Sequence, residues 1–182
     1  AKPRRFGKSL FISTLESVFL GKKELFEGLY IYDKWQFEEY PIIRISFSNI
    51  GYREMGLEQA INDDLDRIYQ LYDLPINTKV ISQKFEALII ALNKKYNKGV
   101  VILIDEYDKP ILDNINNLSI AQELRDGLKN FYSVIKETDE YLKFALLTGV
   151  SKFSKVSLFS GLNILDDLTL KSSVADICGY TQ

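Results

Sequence analysis

Near the start of the chain, Gly7-Lys8-Ser9 are residues whose types and order suit phosphate binding. In the pattern G-x-x-x-x-G-K-[ST], backbone N–H groups cradle phosphates and the Lys reaches the β/γ-phosphates, while the hydroxyl takes Mg²⁺. Counting back five residues from Gly7, the first Gly of the pattern falls on Lys2, a departure that bears on how tightly the loop turns. A second group is Asp105-Glu106, two adjacent carboxylates ending the apolar run Val100-Val101-Ile102-Leu103-Ile104. At an ATP site the first of such a pair holds Mg²⁺ and the second orients and deprotonates the attacking water. Asp108 is the next carboxylate that could take the part of base. Thr148 follows another apolar run, Phe144-Ala145-Leu146-Leu147, and would sit beside the γ-phosphate if that run neighbours the phosphate loop.

These residues need a helix and parallel strands to hold them. Leu10 to Phe19 is apolar on nearly every side and reads as a buried helix, whose N-terminus is where an anion is best held. The β-branched run 100–105 reads as a central parallel strand covered on both faces. Pro41 to Phe47 reads as a strand with Pro at its first position, and Ser46 and Ser48 are polar at its C-terminal end, where parallel sheets bind ligands. Leu25 to Tyr30 reads as a short helix ending near Gly28, with Trp35 and Phe37 packing a connection beyond it. Gly51 to Gly56 is a turn. Leu57, Ile61, Leu65, Ile68 and Tyr72 mark one helix face, with Asp63-Asp64 read as a carboxylate pair on the solvated side of the same helix; Pro75 ends that helix. Ile81, Phe85, Leu88, Leu92 and Tyr96 mark the next, with Lys94, Lys95 and Lys98 complementing its C-terminal dipole. Ser119 to Gln122 is a capping box opening a helix with stripe Ala121, Leu124, Leu128, Phe131 and Ile135. Ser151 to Gly161 is a Ser-rich connection or binding loop. Leu165 to Leu170 reads as a last short strand, followed by a partial helix ending at Gly179. Strands alternating with helices predict a three-layer α/β sandwich around a mostly parallel sheet.

The whole chain sets limits. Its 182 residues, 46% hydrophobic, suit one globular domain spanning 1–182. A net charge of -2 offers no global field for nucleic acid. There is no His, which removes Ser-His-Asp and Cys-His sites and His-ligated metals, and the lone Cys178 fits a reducing cytoplasm. No apolar run approaches the roughly 20 residues of a membrane span, and no signal peptide is visible. The strand that should feed the phosphate loop is expected to lie before Ala1, and the chain by itself is expected to hold ATP weakly for want of it.

Three strings carry a family resemblance. Pro3 to Leu10 (PRRFGKSL), Leu103 to Pro110 (LIDEYDKP) and Leu147 to Lys155 (LTGVSKFSK) resemble the AAA-ATPase-like domain of bacterial P-loop ATPases, over the chain from its first residue to about Tyr180. The resemblance implies a P-loop NTPase sandwich with the acidic strand beside the Thr148 strand. It implies Lys8 on phosphate, Ser9 and Asp105 on Mg²⁺, Glu106 as the water-activating base and Thr148 as a γ-phosphate sensor. Arg4, Arg5, Phe6, Gly7, Lys8, Ser9 and Leu10 are then the nucleotide-binding residues, and ATP and Mg²⁺ the ligands. In similar proteins a restriction-nuclease-like domain often follows.

The preferred reading is an ATP-binding domain that hydrolyses Mg-ATP to drive a conformational change in an attached module, completed by an Arg acting in trans, with Arg4, Arg5, Arg53 and Arg125 the candidates. The alternative is a nucleotide-dependent scaffold or switch with negligible hydrolysis, which has no need of Glu106. A nucleic-acid-binding module would rest only on Lys152, Lys155 and the Arg pair.

Overall fold

A computed structural model describes residues 7–150, 165–168 and 171. It is a mixed α/β protein in which three strands form an all-parallel sheet. The strands are β1 (Ile42–Ser46), β2 (Val100–Asp105) and β3 (Leu142–Leu147), in the order β1-β2-β3. Ile45 lies opposite Ile104 on one side of β2, and Leu103 lies opposite Leu146 on the other. Every residue of β2 is buried, as a central strand covered on both faces requires.

The two faces are filled by alternate residues of the strands. Val101 and Leu103 of β2, with Ile42, pack on Ile12 and Phe19 of α1 (Lys8–Phe19). The residues between them, Val100, Ile102 and Ile104, turn to the other face with Ile43 and Ile45 of β1. There they meet α3 (Leu57–Leu71), α4 (Ile81–Tyr96) and α6 (Leu118–Glu137), which contribute Leu65, Ile68, Phe85, Leu88, Leu92, Leu128, Phe131 and Ile135. Phe85 and Phe131 stack with ring centroids 4.6 Å apart, joining α4 to α6. Each such side chain, fully buried, stabilises the fold by about 2 kcal/mol. These helices follow the stripes read from their 3.6-residue spacing, extended by Tyr69, Ile89 and Tyr132.

Several local readings are corrected. Helix α1 is buried on one side only, and Leu10 is 72% exposed, because α1 is an outer helix with solvent behind it. In place of a short helix before Gly28 there are two 3-10 turns, Lys23–Phe26 and Tyr30–Asp33. Phe26 and Phe37 of this region pack against each other, while Trp35 stays 39% exposed at the edge of Phe19. The Gly51–Gly56 turn contains a one-turn helix, α2 (Tyr52–Met55), and the tip after β2 another, α5 (Lys109–Leu112). The cap of α6 is Asn117, whose side chain accepts from Ile120 N at 3.3 Å, rather than a box begun by Ser119. Asp64 is not a fully solvated partner of Asp63: burial pushes its carboxyl up, while Arg67, bonded to it at 2.9 Å, pulls it down. Residues 165–168 have no regular structure, so the strand read there is not formed over them. The loop 151–161 and the final partial helix lie outside the described residues.

Candidate functional site

Helix α1 starts at Lys8, with Gly7 before it at a φ of +77°. That left-handed backbone is open to Gly at no steric cost, and it turns the chain so that the first N–H groups of α1 face outward from the helix end. Lys8 is buried and Ser9 lies next to it. Since α1 packs across β2, Ser9 arrives at the C-terminal tip of that strand, and its hydroxyl donates to Asp105 Oδ2 at 2.6 Å. The Thr148 hydroxyl, just past the end of β3, donates to the other oxygen, Oδ1, also at 2.6 Å. Asp105 is only 3% exposed, and both its oxygens are occupied by hydroxyls. Three of the residues singled out from the sequence are thus one hydrogen-bonded chain across α1, β2 and β3, and Lys8 adjoins it.

The acidic strand lies directly beside the Thr148 strand, in parallel register. Glu106, the next residue, points elsewhere. Its φ of +54° is left-handed, which is costly for a side chain with a Cβ, and its carboxylate accepts from the Ser48 hydroxyl beyond the end of β1. A cleft of about 260 Å³ opens here, lined by Ser48, Glu106, Asp108, Lys109, Leu112 and Val150. Polar Ser48 at a strand end, with Glu106 and Asp108, was the sequence signal for this side of the site.

Asp108 is engaged on the wall of this cleft. It carries no exposed surface, and its Oδ2 accepts from the backbone N–H of Val150 at 2.8 Å. Tyr107 beside it donates its N–H to Thr148 O at 3.0 Å and accepts on its carbonyl from the Tyr132 hydroxyl at 3.0 Å. Burial, and after it the nearby Asp108 charge, pushes the Tyr107 phenol far above its ordinary range, so it stays neutral. Further along, Asp113 collects Tyr52 and two cations, Arg53 Nη2 at 2.5 Å and Lys109 Nζ at 3.3 Å. That group was not foreseen. It also occupies Arg53, while Arg125 lies on Gln122 and Asp126 of its own helix. Of the remaining candidates, Leu10 is exposed on the first turn of α1, and Arg4, Arg5 and Phe6 lie outside the described residues.

The donor set fits Mg²⁺. Mg²⁺ takes hard oxygen ligands and is usually held by one or two carboxylates plus substrate phosphates, and a hydroxyl and a carboxylate in contact at a helix N-terminus are donors of that kind. No group of three or more Cys, Asp or Glu that would make a separate metal site comes together among the described residues.

Residues 1–159 match a family model described as predicted AAA-ATPase. The chain belongs to that family. Over 184 aligned residues it is also 47% identical to an uncharacterized protein in the vnfD 5' region of Azotobacter chroococcum mcd 1. That alignment covers all of this chain and 36% of the relative, so the chain spans about a third of the curated relative it matches. No solved structure matches. Membership of the predicted AAA-ATPase family points to ATP as the nucleotide. No helix among the described residues of this AAA-ATPase-like chain is long and apolar enough to cross a membrane.

Proposed function

We propose that this chain is the Mg-ATP-binding and hydrolysing part of a cytoplasmic P-loop ATPase, a three-layer sandwich whose nucleotide sits on the N-terminus of α1. The observation that carries the reading is the Ser9–Asp105–Thr148 hydrogen-bonded chain, which brings a phosphate-loop hydroxyl, a strand-end carboxylate and a candidate γ-phosphate sensor to one place. The N–H groups at the start of α1 and the Lys8 ammonium hold the phosphate oxygens. Ser9 and Asp105 would hold Mg²⁺, which when bound neutralises charge on the β- and γ-phosphoryl oxygens. Glu106, released from Ser48, takes a proton from the attacking water; the bond from the γ-phosphorus to the bridging oxygen breaks, giving ADP and phosphate. Thr148 turns its hydroxyl from Asp105 to the γ-phosphoryl group. The conformational change is passed to a module attached elsewhere in the longer protein.

The rival reading is a nucleotide switch without turnover, and the Ser48–Glu106 hydrogen bond is the observation in its favour, since it occupies the base. Glu106→Gln in the full-length protein separates them. It is expected to keep Mg-ATP affinity and to lower turnover by roughly 100-fold or more. A wild-type protein that binds Mg-ATP and does not hydrolyse it would decide for the switch.

A further inference from the structure

We propose that Asp108 is a positioning residue: it latches the backbone of Val150 so that Thr148 is held in place at the end of β3, with its hydroxyl within reach of Asp105. The loop leaving β2 and the loop leaving β3 are fastened to each other at successive points. Thr148 N–H donates to Ile104 O at 2.9 Å, and Tyr107 N–H donates to Thr148 O at 3.0 Å. The third fastening is made by a side chain, Asp108 Oδ2 accepting from Val150 N–H at 2.8 Å. A carboxylate acceptor on a backbone N–H makes a short, strong bond, and Asp108 itself is buried.

Gly149, between the second and third fastenings, shows how closely the loops are drawn together. A Cβ there would lie 2.5 Å from the Tyr107 ring and 2.8 Å from Cγ of Asp108, so no side chain fits. Tyr132, wholly buried in α6, supports the outer side of the same loop through Tyr107 O. With peptide planes rigid, fixing both the carbonyl of Thr148 and the N–H of Val150 leaves the short Gly149 link little freedom. The Cα–Cβ bond of Thr148, from which Oγ1 reaches Asp105 Oδ1, is thereby held in place from the backbone side. Asp108 touches no reacting atom in this arrangement; it acts through Val150 and Gly149.

The consequence for turnover rests on the ATPase reading above, whereas the latch itself does not. The test compares Asp108→Leu, close in size but without an acceptor, with Asp108→Asn, whose amide oxygen can still accept from Val150 N–H. Two readouts are taken on the full-length protein: amide hydrogen exchange over 148–150 against 100–104, and kcat with KM for ATP. Asp108→Leu is expected to speed exchange of the Val150 amide at least tenfold, with β2 unchanged. It is also expected to lower kcat at least tenfold with KM within threefold. Asp108→Asn is expected to stay within threefold of wild type in all of these. Wild-type exchange in Asp108→Leu, a KM that rises in step with the loss of kcat, or an Asp108→Asn protein as impaired as Asp108→Leu would overturn the proposal. If Asp108→Leu is recovered unfolded, Asp108→Ala, which removes the acceptor without adding bulk, is read the same way. A wild-type protein that turns over no ATP would defeat the ATPase reading, and the exchange data alone would then decide the latch.

Discussion

Asp105 and Asp113 both belong to the stretch that carries the chain out of β2, yet their charges are met in opposite ways. Asp113 takes hydrogen bonds from Tyr52 and Arg53 and an ion pair from Lys109, so two cations stand against one carboxylate. Asp105 is more deeply buried and takes a hydroxyl, a neutral donor, on each of its carboxylate oxygens. Neutral donors offset a buried carboxylate less fully than cations do, and in the proposed function a divalent cation would add the rest. Asp113 is architecture, tying α2 to α5. Asp105 is the carboxylate that the proposed function gives a ligand.

The strongest way to break this contrast is to neutralise each carboxylate in turn. Asp105→Asn is expected to cut ATP turnover by roughly 100-fold or more and to weaken the Mg²⁺ dependence of binding. Its urea-unfolding free energy should stay within about 0.5 kcal/mol of wild type or rise, because a buried carboxylate held by neutral donors gives way to a neutral amide. A large loss of stability in Asp105→Asn would show that its charge is structurally balanced after all.

Asp113→Asn should do the reverse. Turnover should remain within threefold, and stability should fall by about 1.5–3 kcal/mol, the range for hydrogen bonds to charged groups. Burial alone would raise the Asp113 carboxyl, but Tyr52, Arg53 and Lys109 outweigh it and hold it below the ordinary range. A lowered pKa contributes stability that is present above the unfolded value of about 3.9 and lost as pH falls through the folded one. The advantage of wild type over Asp113→Asn should therefore narrow below about pH 4. Tyr52 acts at the other end: burial, then its bond to Asp113, pushes its phenol up to about 12. Stability from it is complete below the unfolded value of about 10 and is lost as pH rises toward 12. Denaturation midpoints across both windows, with Tyr52→Phe as the alkaline control, check the two signs.

The smallest effect sharpens the contrast from outside. Leu10 adjoins Ser9 but faces solvent, so Leu10→Ala should change stability by no more than about 0.5 kcal/mol. A loss above 2 kcal/mol by thermal denaturation would mean that a further part of the protein covers this side of α1.

Much of this was legible in the sequence because it is written locally. The 3.6-residue stripes of α3, α4 and α6 and the apolar run of β2 need no knowledge of what they pack against. The meeting of Ser9, Asp105 and Thr148 was foreseeable once parallel strands were read, since strand C-termini share one edge of the sheet. What was missed depends on pairs far apart in the chain. Glu106 meets Ser48 across 58 residues, Val150 meets Asp108 across 42, and Tyr52 meets Asp113 across 61. One-turn helices such as α2, fixed by a single such anchor, have no periodicity to read. The left-handed backbone of Glu106 runs against local preference, and no pattern of residue types announces it.

The all-parallel order β1-β2-β3 has a consequence for synthesis. Ile42 has its partner in Val101, fifty-nine positions later, and no hairpin offers an earlier ladder. At about 5–20 residues per second on the ribosome, β1 waits roughly 3–12 s for the strand it pairs with. During that time Ile42, Ile43 and Ile45 are an unpaired β-prone segment, and β2, apolar up to Asp105, waits in its turn for Leu142 to Leu147. Slow elongation codons between β1 and β2 would lengthen that exposure, and chaperones that hold nascent apolar strands would shorten its harm.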